Sequence, residues 1–208
     1  MTRFTLIKDE SGYALNDELS KQHPLRVDFQ SAQLRYRRQK GGKKELLFKA
    51  INTKAVNIKG SLHVWDCTAG LGTDSFLLAA SNCRVTLFER SPILALLLEQ
   101  ALNQGSEDEE IQFIVSRMKL ISADSFDALR QIDSSNKIDA SIDIPDVILI
   151  DPMFPTKRKS AQVKGEMQML QRFLGKDEDA LSLVSIALAS SCPRVVVKRP
   201  AIGGHLQG

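Results

Sequence analysis

From Leu62 onward, short apolar runs ending in acidic or glycine-rich turns alternate with stretches whose apolar residues recur at helical spacing. This alternation predicts strands over 62–66, 84–89, 118–122, 146–150 and 194–198, with helices over 73–81, 92–104, 125–132 and within 163–190. Parallel strands need long crossovers rather than tight turns, so the chain is constrained to an α/β fold. The expected form is a doubly wound, mostly parallel sheet with helices on both faces. Pro92 suits the first turn of its helix, where the missing amide removes no hydrogen bond. The polar stretch from Asp133 to Pro145 reads as a loop.

Upstream the pattern is weaker. Residues 1–30 hold a hairpin signal around Gly12, and a helix is predicted over 43–56 from the apolar spacing in Glu45–Ile51. The expected organisation is a small N-terminal extension with a basic segment, 1–42, followed by the main domain, 43–208. No apolar run approaches the ~20 residues of a membrane helix, and Lys8, Asp9 and Glu10 interrupt the start in a way unlike a signal peptide. The expected location is the cytoplasm, with no membrane partner. Cys67, Cys83 and Cys192 are odd in number and widely spaced, which argues for reduced, structural thiols; only Cys67, in a glycine loop, is placed to meet a ligand. His23, His63 and His205 lack metal spacing, and no metal is expected.

The net charge of +3 is mild, but its distribution is uneven. Arg35, Arg37, Arg38, Lys40, Lys43 and Lys44 cluster around Tyr36 with no acid among them, and Lys157, Arg158, Lys159 and Lys164 form a second cluster. Glu107 to Glu110 gather elsewhere. Basic segments beside a site resemble an electrostatic footprint for phosphates, although either one alone could be a solvated face.

Open α/β sheets bind ligands at the carboxyl ends of their strands. The first strand runs into Asp66-Cys67-Thr68-Ala69-Gly70-Leu71-Gly72, where the glycines allow a sharp turn and close backbone approach. A dinucleotide fingerprint wants a third glycine where Ser75 stands, which weakens that reading. Glu89 ends the second strand, where a carboxylate can accept from ribose hydroxyls or simply be a surface residue. Asp124 and Ser125 end the third and suit an adenine edge, or cap the following helix. The fourth strand, Val147 to Ile150, leads into Asp151-Pro152-Met153-Phe154-Pro155: a carboxylate, a rigid turn and an aromatic that could instead be a loop opener and a core ring.

On these residues the chain resembles the class I S-adenosylmethionine (SAM)-dependent methyltransferases. More closely it is similar to the ribosomal RNA small subunit methyltransferase J family, through Asp151 to Pro155, Lys157 to Ala161, Val163-Lys164, Val27-Asp28-Phe29, Arg35 to Arg38, Ala69 to Gly72 and Val195 to Pro200. The resemblance implies a Rossmann-like fold, SAM as cofactor and methylation of the exocyclic N2 of one guanine in small-subunit (16S) ribosomal RNA. The implied partner is that RNA or the 30S subunit. Cofactor contacts are implied at Gly70, Gly72, Thr73, Asp74, Glu89, Arg90, Asp124, Ser125 and Asp151. For that chemistry Asp151 and the Pro152 carbonyl are placed to accept from the amine and Phe154 to stack on the base, while Arg35, Arg37, Arg38, Lys157, Arg158 and Lys159 would position the RNA backbone; Lys198 and Arg199 could join them or pair with acids in the fold. Thr73 stands where the family carries an arginine, leaving its backbone amide at the helix start to serve. A final antiparallel strand pair expected after Pro200 is short or missing. Methylation of an adenine N6 or another nucleic-acid amine is the rival chemistry. A noncatalytic RNA-binding module is the rival from another class, but it has no need of the Asp151 carboxylate.

Overall fold

The computed structural model describes residues 3–41, 46–51, 61–133, 143–152, 165–175 and 179–199. The hairpin signal at Gly12 corresponds to β1 (Phe4–Asp9) and β2 (Gly12–Asp17), an antiparallel pair in which Asp9 faces Gly12 across the turn. Asp9 Oδ1 accepts from the Ser11 amide at 2.8 Å, and Gly12 takes φ +99°, a conformation that costs glycine little. After the hairpin come α1 (Ala32–Tyr36), which runs into a π-helical turn over Arg37–Gly41, and α2 (Leu46–Ile51). The flanks of the helix expected over 43–56 lie outside the described residues.

The rest follows the predicted alternation: β3 (His63–Asp66), α3 (Thr73–Ala80), β4 (Arg84–Phe88), α4 (Pro92–Ser106), α5 (Gln112–Val115), β5 (Met118–Ile121), α6 (Ser125–Gln131), β6 (Val147–Ile150), α7 (Gly165–Leu174), α8 (Ala180–Ala189) and β7 (Val195–Val197). The short α5 carries too few residues to show helical spacing in the sequence. Ser91 caps α4, its hydroxyl accepting from the Leu94 amide, with Pro92 in the first turn as expected.

The five strands from β3 on form one sheet in the order β5-β4-β3-β6-β7, and every pairing is parallel. Side chains alternate between its faces. Val64, Val85, Leu87, Val147 and Leu149 join a core with Phe76, Leu77, Leu98 and Leu170. Trp65, Phe88, Ile148 and Ile150 point the other way, onto Leu129 of α6 and Leu183 of α8. All residues of β3 and β6 are buried, as central strands covered on both faces must be.

The N-terminal residues share the first of these cores. Leu15, Leu25, Val27 and Phe29 are buried in it, and the Phe29 ring stacks on Phe76 of α3 at 5.0 Å. Gln100 of α4 accepts from the Tyr13 amide at 2.6 Å. Asp17, at 1% exposure, accepts from Arg3 at 3.0 Å and from Arg172 of α7 at 3.2 Å. The hydrogen bond from Arg3 holds its carboxyl below the usual range.

The strand order reverses between β3 and β6, which is where a doubly wound sheet opens a crevice. Asp66 anchors the first loop there: at 3% exposure, its Oδ2 accepts from the Ser75 hydroxyl at 2.6 Å and its Oδ1 from the Thr68 amide at 3.2 Å. Burial pushes the Asp66 carboxyl up to about 7; Ser75 opposes this, and the neighbouring charges of Asp74 and Asp151 add to it.

Phe76, 1% exposed and stacked on Phe29, joins the N-terminal segment to the sheet domain. Phe76→Ala is expected to cost about 3–5 kcal/mol in urea unfolding; a loss below about 1 kcal/mol rejects that role. Because the Asp66 carboxyl rises on folding from 3.8 to about 7, its contribution is fullest below pH 3.8 and fades as the pH climbs to about 7. Asp66→Asn is therefore expected to gain stability relative to wild type as the pH rises from 3.8 to about 7, and to hold that gain above it. Urea midpoints that move in parallel for the two proteins would contradict this.

Candidate active site

At the crevice lies a cavity of about 580 Å³, within the range of small-ligand sites. The carboxyl ends of β3, β4, β5, β6 and β7 all contribute to it, and α1, α7 and α8 close it from the sides. Acid groups outnumber basic ones among its lining residues.

Gly70 and Gly72 take φ +56° and +67° but serve different ends. A Cβ on Gly70 would meet nothing nearer than 3.9 Å, so the loop shows bare backbone to the cavity; one on Gly72 would lie 2.7 Å from Leu98 Cδ2 and 3.2 Å from Phe29. Gly72 thus faces the core, and of the two only Gly70 lines the cavity. Glu89 is buried and braces the loop, accepting from the Gly70 amide at 2.9 Å and the Ser91 amide at 2.7 Å. Thr73 and Asp74 open α3 at the cavity wall.

Asp124 caps α6, accepting from the Phe126 amide at 3.0 Å, and the Ser125 hydroxyl donates to the Cys67 carbonyl at 3.0 Å. Both still line the cavity, so capping and lining coexist. Arg90 reaches Asp179 at 2.5 Å and Asp124 at 3.8 Å, tying the ends of β4 and β5 to the start of α8. That hydrogen bond lowers the Asp179 carboxyl. Cys67 is buried with its thiol pushed far up by desolvation, as expected of a structural thiol, although it too borders the cavity.

Asp151 follows β6 directly, its amide donating to Thr68 Oγ1 at 2.7 Å. Its Oδ2 accepts from the Lys198 ammonium at 2.5 Å, and Asp74 Oδ2 accepts from the same ammonium at 2.5 Å. Burial pushes the Asp151 carboxyl up, against the pull of Lys198. Burial also opposes the Lys198 charge, yet the two carboxylates outweigh it and raise its value. Of the two roles open to Lys198, contact with RNA or pairing with acids in the fold, the structure shows the second.

The first basic segment divides. Arg35 and Arg38 pair with Glu110 at 3.5 and 3.7 Å, so the acids of 107–110, which the sequence places elsewhere, come back against it. Arg37 and Arg199 line the cavity. Pro152 lines it as well. Phe154, Lys157, Arg158 and Lys159 lie outside the described residues. Sequence reasoning passed over Gln33, Glu166, Gln171 and Asp179, which reach the cavity from α1, α7 and the start of α8. Their helices carried no site signal. Asp66 was visible as a strand-end carboxylate in the glycine loop. Among the described residues no cluster of His, Cys, Asp and Glu suits a metal ion, and no helix is long and apolar enough to cross a membrane.

The cavity's size, its bare loop backbone and its acid lining fit a nucleoside that carries positive charge. Comparison with known proteins agrees. Residues 2–208 match the family described as "Putative SAM-dependent methyltransferase". The ribosomal RNA small subunit methyltransferase J of Chromobacterium violaceum is 41% identical over 186 residues, covering 88% of this chain and 68% of that protein. Its counterpart in Saccharophagus degradans is 42% identical over 215 residues, covering 99% and 77%. The crystal structure of a SAM-dependent methyltransferase from Neisseria gonorrhoeae superposes with a TM-score of 0.69 at 32% identity, covering 96% of this chain and 73% of that one. Sheet order, strand-end carboxylates and near-full-length similarity converge: the chain belongs to the SAM-dependent ribosomal RNA small subunit methyltransferase J family.

Proposed function

We propose that this enzyme methylates the exocyclic N2 amine of a guanine in small-subunit ribosomal RNA, meeting it as free RNA or within the 30S subunit. The observation that carries the proposal is the position of Asp151. It ends a central strand, faces the cavity and lies within one ammonium's reach of Asp74, at the start of the helix that follows the glycine loop.

An amine on an aromatic ring is a weak nucleophile because its lone pair is delocalised into the ring. When bound, SAM supplies a methyl carbon on a sulfonium sulfur, which departs with the bonding pair as a neutral thioether. Asp151 accepts a hydrogen bond from the amine, localising the lone pair, and takes the surplus proton once nitrogen has bonded carbon. The Pro152 carbonyl is the second acceptor, on a backbone held rigid by the proline ring. Holding amine and methyl in line can lower the barrier by roughly 7–11 kcal/mol in well-aligned cases.

The glycine loop, with Gly70 turned to the cavity and Thr73 and Asp74 at the start of α3, forms the cofactor's first wall. Glu89 and Arg90, then Asp124 and Ser125, form the walls for its ribose and base. A paired, stacked guanine cannot present N2 to this cavity, so the base must be extruded. Stacking of that base on Phe154, and backbone contacts from Lys157, Arg158 and Lys159, rest on the family resemblance. Arg37 and Arg199, at the cavity wall, are the described cations best placed to meet the nucleotide's phosphates.

Asp151→Ala is expected to lower single-turnover methylation by at least about 100-fold with an unchanged circular dichroism spectrum; near-normal turnover removes Asp151 from the mechanism. Arg37→Glu is expected to weaken RNA binding and flatten its salt dependence by about 0.7–0.9 in log–log slope for each phosphate it ceases to neutralise. An unchanged slope excludes Arg37 from phosphate binding. Mass mapping of ribosomal RNA from cells lacking the protein tests the substrate: a missing guanine methyl supports the proposal, whereas a missing adenine methyl supports the rival amine.

A further inference from the structure

Lys198 sits one residue beyond β7, its amide donating to the Ile150 carbonyl at 2.8 Å, so its backbone lies beside the residue that precedes Asp151. Its side chain bridges Asp74 and Asp151, 2.5 Å from each. An ammonium has three donors, and two of them are spent on these carboxylates. That geometry is unlike a lysine spread along an RNA backbone. Asp151 is consequently held at two points: its backbone by the Thr68 hydroxyl at 2.7 Å, and its carboxylate by Lys198 through Oδ2.

We propose that Lys198 is the positioning residue of the methyl-transfer site, its shared ammonium keeping the Asp151 carboxylate charged and aimed so that Oδ1 receives the substrate amine. The inference rests on the assignment of Asp151 above. The cavity makes such a partner necessary. Asp74 at the start of α3 sets a like charge against Asp151, and Asp66 at the end of β3, its carboxyl pushed up to about 7 by burial, adds its charge only as the pH rises through that value, while Glu166 of α7 and Arg37 and Arg199 line other parts of the wall. Without Lys198, the Asp74 and Asp151 carboxylates would face each other with no cation between them, and the easiest relief is for one to take up a proton. A protonated Asp151 is a poor acceptor, and the amine would lose its partner. Lys198 also ties the glycine-loop helix to the Asp151 turn, so one side chain sets the spacing between the two halves of the site.

The test is the pH dependence of single-turnover methylation of substrate RNA at saturating SAM, for wild type, Lys198→Gln, Lys198→Arg and Asp74→Asn. Removing the cation is expected to move the acid limb of the rate up by about one pH unit or more. Lys198→Arg is expected to return it toward wild type. Asp74→Asn removes a like charge and leaves Lys198 to Asp151 alone, so its limb is expected to move down. Opposite displacements of this kind do not arise from loss of folding, which lowers amplitude without ordering the limbs by charge. Wild-type turnover with coincident acid limbs in all variants overturns the inference alone. No methyl transfer by wild type overturns the function proposed for Asp151 and the inference with it.

Discussion

Backbone hydrogen bonds between β3 and β6 bring two pieces of chain, 66–72 and 151–152, to the same end of the sheet although some eighty residues separate them in sequence. Everything in the site depends on that parallel pairing. Because the strands run the same way, their carboxyl ends lie together, and because the order reverses between β3 and β6, the helices that follow diverge and leave a crevice. The Thr68 hydroxyl and the Asp151 amide close the join, tying the glycine loop to Asp151.

That join concentrates negative charge. Asp74 and Asp151 both raise the Asp66 carboxyl, Asp74 raises that of Asp151, and Lys198 balances part of what results. Buried charge is costly, and an ion pair returns that cost only with good geometry and further hydrogen bonds. Here the whole cluster lines the cavity, where a carboxylate can act on a ligand. The two apolar clusters, one on each face of the sheet, are built from other residues.

Much of the fold was legible in the sequence, for a local reason. Strand and helix have different periods, so Val147 to Ile150 as a buried run, or Leu94, Leu97, Leu98 and Ala101 as a stripe, declare themselves in a few residues. Glu89, Asp124 and Asp151 were visible as site candidates because a carboxylate at a strand's end must lie near other strand ends in a parallel sheet. Gly72 was only half legible. Its positive φ follows from the tight turn, but that it faces Leu98 and Phe29 rather than the cavity depends on where α4 and the N-terminal segment pack.

The partners of the charged residues were not legible. Arg35 and Arg38 read equally as phosphate ligands or as a solvated face until packing brings Glu110 against them, and Lys198 reads as an RNA contact or as a partner of unnamed acids until β7 is laid beside β6. By itself the sequence determined the alternation of strands and helices from β3 on, α5 apart, the glycine loop and the acidic strand ends, because each depends on neighbours a few residues away. Only the tertiary structure decided which charges meet across the crevice, because Coulomb attraction and hydrogen bonding act through space and take no account of separation along the chain.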